Sequence, residues 1–136
     1  MVIVAADAER EILRHARAAL PEECCGVLVG TAANGQWKVV AAAAVGNVSG
    51  GDRQRRYEAD PRGILRADAE ARRQGLDVIG FYHSHPEGEG RPSAEDLRLA
   101  WEGYIYVIAE PAGAGKIRAW RIVEGRAEEL GVQVGA

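Results

Sequence analysis

Apolar positions recur along this chain with two different periods, and each change of period marks an element. Between Asp7 and Leu20, the residues Ile12, Leu13, Ala16, Ala19 and Leu20 recur at three- and four-residue spacing. That is the buried stripe of an amphipathic helix, with Asp7 as its N-cap and Pro21 ending it. A short apolar segment, Val2–Val4, precedes it. Residues 24–30, "CCGVLVG", read as a strand, and Asn34-Gly35 predicts a tight hairpin turn into "QWKVVAAAAV". Residues 46–56, "GNVSGGDRQRR", predict an exposed, mobile loop. Asp60-Pro61 supplies a cap followed by an N1 proline, and Gly75 a stop. The helix between them should turn Ile64, Leu65 and Ala71 inward and its arginines outward. Residues 76–85, "LDVIGFYHSH", form a nearly continuous apolar run that suits a central strand. A further helix should begin at Ser93, with Leu97, Ala100 and Trp101 on its apolar face. "YIYVIAE", the turn "PAGAGK", "IRAWRIVEG" and "RAEELGVQV" then complete the chain as strands. The result is a mixed α and β chain with no internal repeat, low-complexity stretch or linker, which predicts a single domain over 1–136.

Composition narrows the class without changing this order. With 47% hydrophobic and 27% charged residues the chain is an ordinary globular one, long enough to need no staples. A net charge of −3 gives no electrostatic footprint for nucleic acid. Cys24 and Cys25 are adjacent and therefore poorly placed for a strain-free disulfide, which points to a reducing compartment. Charge arrives by Asp7, too early for a secretory segment, and no apolar run approaches the ~18–20 residues that span a bilayer. The expectation is a cytoplasmic protein with no membrane partner.

The chemistry concentrates in residues 83–96, "HSHPEGEGRPSAED". Strand side chains alternate, so His83 and His85 project from one face while Ser84 points away. Pro86 favours leaving the sheet, and a helix starting at Ser93 carries Asp96 on its first turn. Two imidazoles, one carboxylate and an open fourth position make the ligand set of a catalytic Zn²⁺ site. The plainer reading is a capping box between Ser93 and Asp96, which accounts for those two residues but not for paired histidines beside them. Capping and ligation are compatible. Hydrolysis at such a site also needs a base, since bound water falls to a pKa of about 7 and a nearby carboxylate takes its proton. Glu22 and Glu23 both stand at the entrance to the strand "CCGVLVG", on opposite faces, and parity alone does not choose between them.

The chain resembles the JAMM (MPN+) family of zinc metalloproteases, whose signature is a distant Glu followed by H-[ST]-H-P-x(6)-S-x-x-D. His83, Ser84, His85, Pro86, Ser93 and Asp96 fill every named place without insertion. Pro21, Glu23, Cys25 and Gly26 match the upstream P-x-E-x-C-G pattern, which selects Glu23 over Glu22. The resemblance implies an α+β fold of α/β/α type: a curved, mixed, mostly antiparallel sheet flanked by helices, the deaminase-like JAMM/MPN fold. It also implies one Zn²⁺ per chain, held by His83, His85 and Asp96. Glu23 would be the general base, Ser93 the hydrogen-bond donor to the oxyanion, and Ser84 a supporting hydrogen-bonding residue.

By the same resemblance, the reaction is hydrolysis of a peptide or isopeptide bond after the C-terminal glycines of a ubiquitin-like or sulfur-carrier protein, by direct attack of zinc-activated water. An extended Gly-Gly tail could add to an exposed strand, with segment 48–59, including Tyr57 and its arginines, gripping it. The pattern accommodates a monomer or an oligomer. Three other classes compete. A non-catalytic MPN-type binding module would usually lack the ligands found here. A cysteine hydrolase would use Cys24 or Cys25, with a histidine drawn from the pair or from His15, which reads as a surface residue. A zinc deaminase would want H-x-E together with P-C-x-x-C, and the second motif is missing. Trp37, Trp101 and Trp120 read as packing residues, and Glu87 and Glu89 as solvated loop carboxylates.

Overall fold

A computed structural model describes residues 1–135. The elements run β1 (Val2–Ala5), α1 (Ala6–Ala19), β2 (Cys25–Ala33), β3 (Gln36–Val45), α2 (Pro61–Arg73), β4 (Asp77–Ser84), α3 (Ala94–Leu99), β5 (Ile105–Glu110), β6 (Lys116–Val123), β7 (Arg126–Leu130) and β8 (Val132–Gly135). The strands form one eight-stranded sheet in the order β7-β6-β5-β4-β2-β3-β1-β8. Four neighbouring pairs are antiparallel and three parallel, so the sheet is mixed and mostly antiparallel as expected.

Helices cover both faces, and strand parity decides what each one meets. Leu28, Tyr82 and Val107 point to the side of α1, where they pack with its Ile12, Leu13 and Ala16. Val27, Val29, Phe81 and Tyr106 point to the other side, where α2 contributes Ile64 and Ala71 and α3 contributes Leu97. Each apolar side chain taken fully out of water there stabilises the fold by about 1.5–3 kcal/mol. Asn34 and Gly35 have φ of 55° and 74°, the left-handed pair that a tight hairpin needs between β2 and β3. Among the described residues, no helix is long and apolar enough to cross a membrane.

The two edge strands, β7 and β8, are separated in sequence by Gly131 alone. Seven inter-strand steps of about 4.8 Å would hold the edges of a flat sheet roughly 34 Å apart. One residue spans at most about 3.5 Å. The sheet therefore curls until its edges nearly meet, and Val2 N donates to Gly131 O at 2.8 Å across the closure.

Several sequence expectations shift locally. α1 starts at Ala6 with Ala5 as N-cap, so Asp7 lies in the first turn rather than at the cap. The short strand β1 leads straight into it and fixes the start two residues early. Leu20 is the C-cap and is exposed. Leu65 is 69% exposed, because α2 turns Ile64, Ala67 and Ala71 toward the sheet. α3 ends at Leu99, which releases Ala100 and Trp101 from the helix and leaves Trp101 60% exposed. "RAEELGVQV" is two strands on opposite edges rather than one.

Candidate metal centre

β4 delivers the histidines. Its central position places Cys25 opposite His83 and Val27 opposite Phe81, so His83 emerges on the face of α2 and α3. His85 lies one residue beyond the strand, but its N–H still donates to Ala109 O of β5 at 3.0 Å, which keeps the strand's parity. Ser84 points away as expected. Its Oγ accepts from Cys24 N at 2.8 Å, and its own N–H donates to Cys24 O, tying the end of β4 to the start of β2.

The cap of α3 supplies the third group. Ser93 Oγ accepts from Asp96 N at 3.0 Å, and Asp96 Oδ2 accepts from Ser93 N at 2.9 Å. This reciprocal box turns the carboxylate back toward β4, where the same Oδ2 lies 3.1 Å from His83 Nε2 and 3.2 Å from His85 Nε2. The cap and the histidine cluster are thus one construction. Glu23 stands just before β2, only 6% exposed, and offers a carboxylate oxygen within 4.8 Å of a ring nitrogen of each histidine. Cys25 sits at the same face opposite His83, which answers the parity question: Glu23, not the exposed Glu22, looks toward the histidines.

These groups perturb one another. Burial pushes Glu23 up to about 7, with the Asp96 charge adding to the rise and His85 opposing it. Burial would also raise Asp96, but the hydrogen bonds from His83 and His85 outweigh it and hold the carboxyl far below the usual range. Burial lowers His85, yet its bonds to Asp96 and to the Glu89 carbonyl leave it raised.

The donor set fits zinc. Two donors each about 2.0–2.1 Å from a tetrahedral Zn²⁺ lie about 3.3–3.4 Å apart, and the two imidazoles meet Asp96 at close to that spacing. His85 Nδ1 stands 2.7 Å from Glu89 O. A carbonyl only accepts, so Nδ1 carries a proton, and the protonated ring also donates from Nε2 to Asp96. A cation at Nε2 would take the place of that second proton between the imidazole and the carboxylate. Buried His83 Nδ1 has no hydrogen-bond partner among the described residues. His83 is held instead by Tyr57, whose ring stacks on the imidazole at 4.5 Å between centroids.

Tyr57 directly follows residues 46–56, the expected mobile loop, and that expectation gives way to an anchored structure. Asn47 Nδ2 donates to Glu23 O and Arg56 O at 3.1 Å each, while its Oδ1 accepts from Ser49 N and Glu58 N. Glu23 N in turn donates to Arg53 O at 2.7 Å. The loop therefore clamps the backbone of Glu23 on both sides. The turn from Asn47 to Ser49 N is a local pattern, but the bonds to residues 23, 56 and 58 are set by tertiary structure. Between this loop and α3 lies a cleft of about 410 Å³, lined by Tyr57, Phe81, Leu99, Trp101 and Arg56 and reaching Asp96. His15 is half-buried rather than a plain surface residue, its Nδ1 2.7 Å from Tyr82 Oη on the opposite face of the sheet. Both cysteines are buried and free, and burial pushes Cys24 up to about 11 and Cys25 to about 12.

Comparison with known proteins follows the same lines. A desampylase from Haloferax volcanii is 41% identical, with 96% of this chain and 94% of the relative covered. A CysO-cysteine peptidase from Mycobacterium tuberculosis is 28% identical over 98% of this chain and 91% of its own. The solution structure of a protein from Desulfitobacterium hafniense superposes with a TM-score of 0.89 at 30% identity, covering 99% of this chain and 93% of that one. Residues 5–123 match the family model of prokaryotic homologues of the JAB domain, and the chain belongs to that family.

Proposed function

We propose that this chain is a zinc-dependent hydrolase, acting as a single domain, that cleaves the peptide or isopeptide bond after the C-terminal glycines of a ubiquitin-like or sulfur-carrier protein. The observation that carries this reading is Asp96 Oδ2, aimed by the α3 cap at a point shared with His83 Nε2 and His85 Nε2. His83, His85 and Asp96 would hold one zinc ion, with Glu23 facing it. When bound, zinc polarises a carbonyl and lowers the pKa of a water to about 7.

The residues of the chain do the rest. Glu23, at about 7, is poised to take a proton from the attacking water and pass it to the leaving amine. The water oxygen adds to the glycine carbonyl, and the scissile C–N bond breaks as the tetrahedral adduct collapses and the amine takes its proton. Because water attacks directly, no covalent enzyme intermediate forms. Ser93 Oγ already accepts from Asp96 N, and its hydroxyl proton remains available to the developing oxyanion. The cleft beyond Asp96 offers apolar walls and the Arg55 and Arg56 side chains to a tail approaching from the carrier. The names of the two relatives, a desampylase and a CysO-cysteine peptidase, favour a carrier-protein substrate of this kind.

The test is a Gly-Gly-ending carrier extended by a short peptide. Purified protein should contain near-stoichiometric zinc, and Glu23→Gln should keep the metal while losing about 10²–10⁴ in cleavage rate. Full activity in that variant removes Glu23 from the mechanism. Lack of zinc in active protein removes the metal assignment. Zinc without hydrolysis of any Gly-Gly-extended carrier favours a binding module.

A further inference from the structure

Resting on the metal-centre reading, we propose that Glu110 and Trp120 are positioning residues for His85, acting through Gly90: Glu110 on the peptide unit between Glu89 and Gly90, Trp120 on the carbonyl of Gly90 that follows it. The imidazole of His85 is oriented by one outer contact, Nδ1 to Glu89 O at 2.7 Å. That carbonyl lies in the stretch "EGEG", where no helix or strand holds it and residues 87–89 are exposed. Such a segment would by itself be a poor guide for a ligand.

Gly90 is nonetheless buried, and the reason is a clasp from the neighbouring strands. Gly90 N donates to Glu110 Oε2 at 2.7 Å, and Trp120 Nε1 donates to Gly90 O at 2.8 Å. Glu110 closes β5 and Trp120 lies in β6, so both come from the rigid sheet. The Trp120 ring is set by Arg118 and Arg91, whose guanidinium carbons lie 5.0 and 5.7 Å from it. The clasp leaves no space at Gly90: a Cβ there would sit 2.8 Å from Glu110 Oε2 and 3.3 Å from Ile108 O.

The two ends of one peptide unit are thereby engaged at once. Glu110 draws on its N–H while His85 donates to its C=O. A carboxylate on the N–H polarises the amide and strengthens the carbonyl as an acceptor. The arrangement is a carboxylate–peptide–histidine chain, which favours the Nδ1–H tautomer and frees Nε2 for a metal. Outer partners of this kind typically set metal affinity by about 10–100-fold. His83, stacked on Tyr57, has no equivalent chain.

The experiment has two readouts on the full chain. Zinc affinity is measured by competition with a chromophoric chelator, and the His85 tautomer by long-range proton–nitrogen NMR of metal-free protein. Glu110→Ala and Trp120→Phe should each weaken zinc by about 10-fold or more and shift His85 away from the Nδ1–H form. Glu110→Gln keeps an acceptor for Gly90 N and should stay within a few-fold of wild type. Glu128→Gln, which weakens only the exposed Arg121–Glu128 pair nearby, is the control and should alter neither readout. Unchanged zinc affinity and tautomer in both Glu110→Ala and Trp120→Phe would overturn the proposal. Should Glu110→Ala not fold, Trp120→Phe, which keeps an aromatic ring in place but lacks the indole N–H, decides alone. Wild-type protein that binds no zinc would count against the metal centre, while the tautomer of metal-free His85 would still judge the clasp.

Discussion

Replacing Glu23 by glutamine should make the metal-free protein more stable at alkaline pH, a gain that grows with pH. Glu23 is nearly buried, beside the low-lying Asp96 carboxyl, and its own value is raised from 4.5 to about 7. Between those values the folded state holds a proton that the unfolded state has released. The stability this contributes is complete below about 4.5 and is lost as pH rises through about 7. One decade of proton affinity is worth about 1.4 kcal/mol, so the full span amounts to about 3 kcal/mol. Glutamine keeps the shape of the side chain and carries no such dependence. Relative to wild type, Glu23→Gln should therefore gain about 3 kcal/mol between pH 4.5 and pH 8, or roughly 10 °C in Tm for a domain of this size. Thermal unfolding of chelator-treated protein, followed by circular dichroism across that range, measures it. Saturating zinc should shrink the difference, because a cation at the histidines favours the ionised carboxylate. A difference in Tm that stays flat with pH, or wild type gaining on the variant as pH rises, would refute the reasoning.

Two further outcomes follow from the same geometry. Ser93→Ala removes the acceptor of Asp96 N but leaves the backbone Ser93 N that holds Asp96 Oδ2; it should cost about 1 kcal/mol in urea unfolding and lower kcat by about 10²–10³ with zinc content preserved. Cys24 and Cys25, buried and pushed up to about 11 and about 12, should resist iodoacetamide at neutral pH until denaturant is added. Peptidase activity should survive the reagent and be lost to a chelator, and loss of activity on alkylation of folded protein would revive the cysteine-hydrolase class.

Local rules account for what the sequence made visible. Period-two alternation placed His83 and His85 together, and the Ser93 cap accounted for both the start of α3 and the aim of Asp96. Asp60 caps α2 as its Asp-Pro pair predicts, through Arg62 N at 3.0 Å. The features that escaped depend on partners far along the chain. Trp101 fits an apolar helical stripe, but α3 is only six residues long and ends before reaching it. Leu65 fits the stripe of α2 equally well, and only the angle of that helix on the sheet exposes it. Asn47 makes four hydrogen bonds, and beyond the local turn to Ser49 N they depend on the folded positions of residues 23, 56 and 58, which no spacing rule encodes. The choice of Glu23 over Glu22 needed either the family pattern or the register of β2 on β4.

The closure of the sheet also has a meaning for synthesis. β1 leaves the ribosome well before β8, and Val2 and Val4 are fully buried in the finished protein. One side of β1 pairs with β3, but the other waits for β8, where Val2 lies opposite Val132 and Val4 opposite Val134. Until residues 132–135 emerge, a nascent chain carries an unpaired apolar strand able to accept any extended segment nearby. The last strand thus works as a seal on the first, and a truncation before Val132 should leave a protein that assembles its metal site yet aggregates through β1.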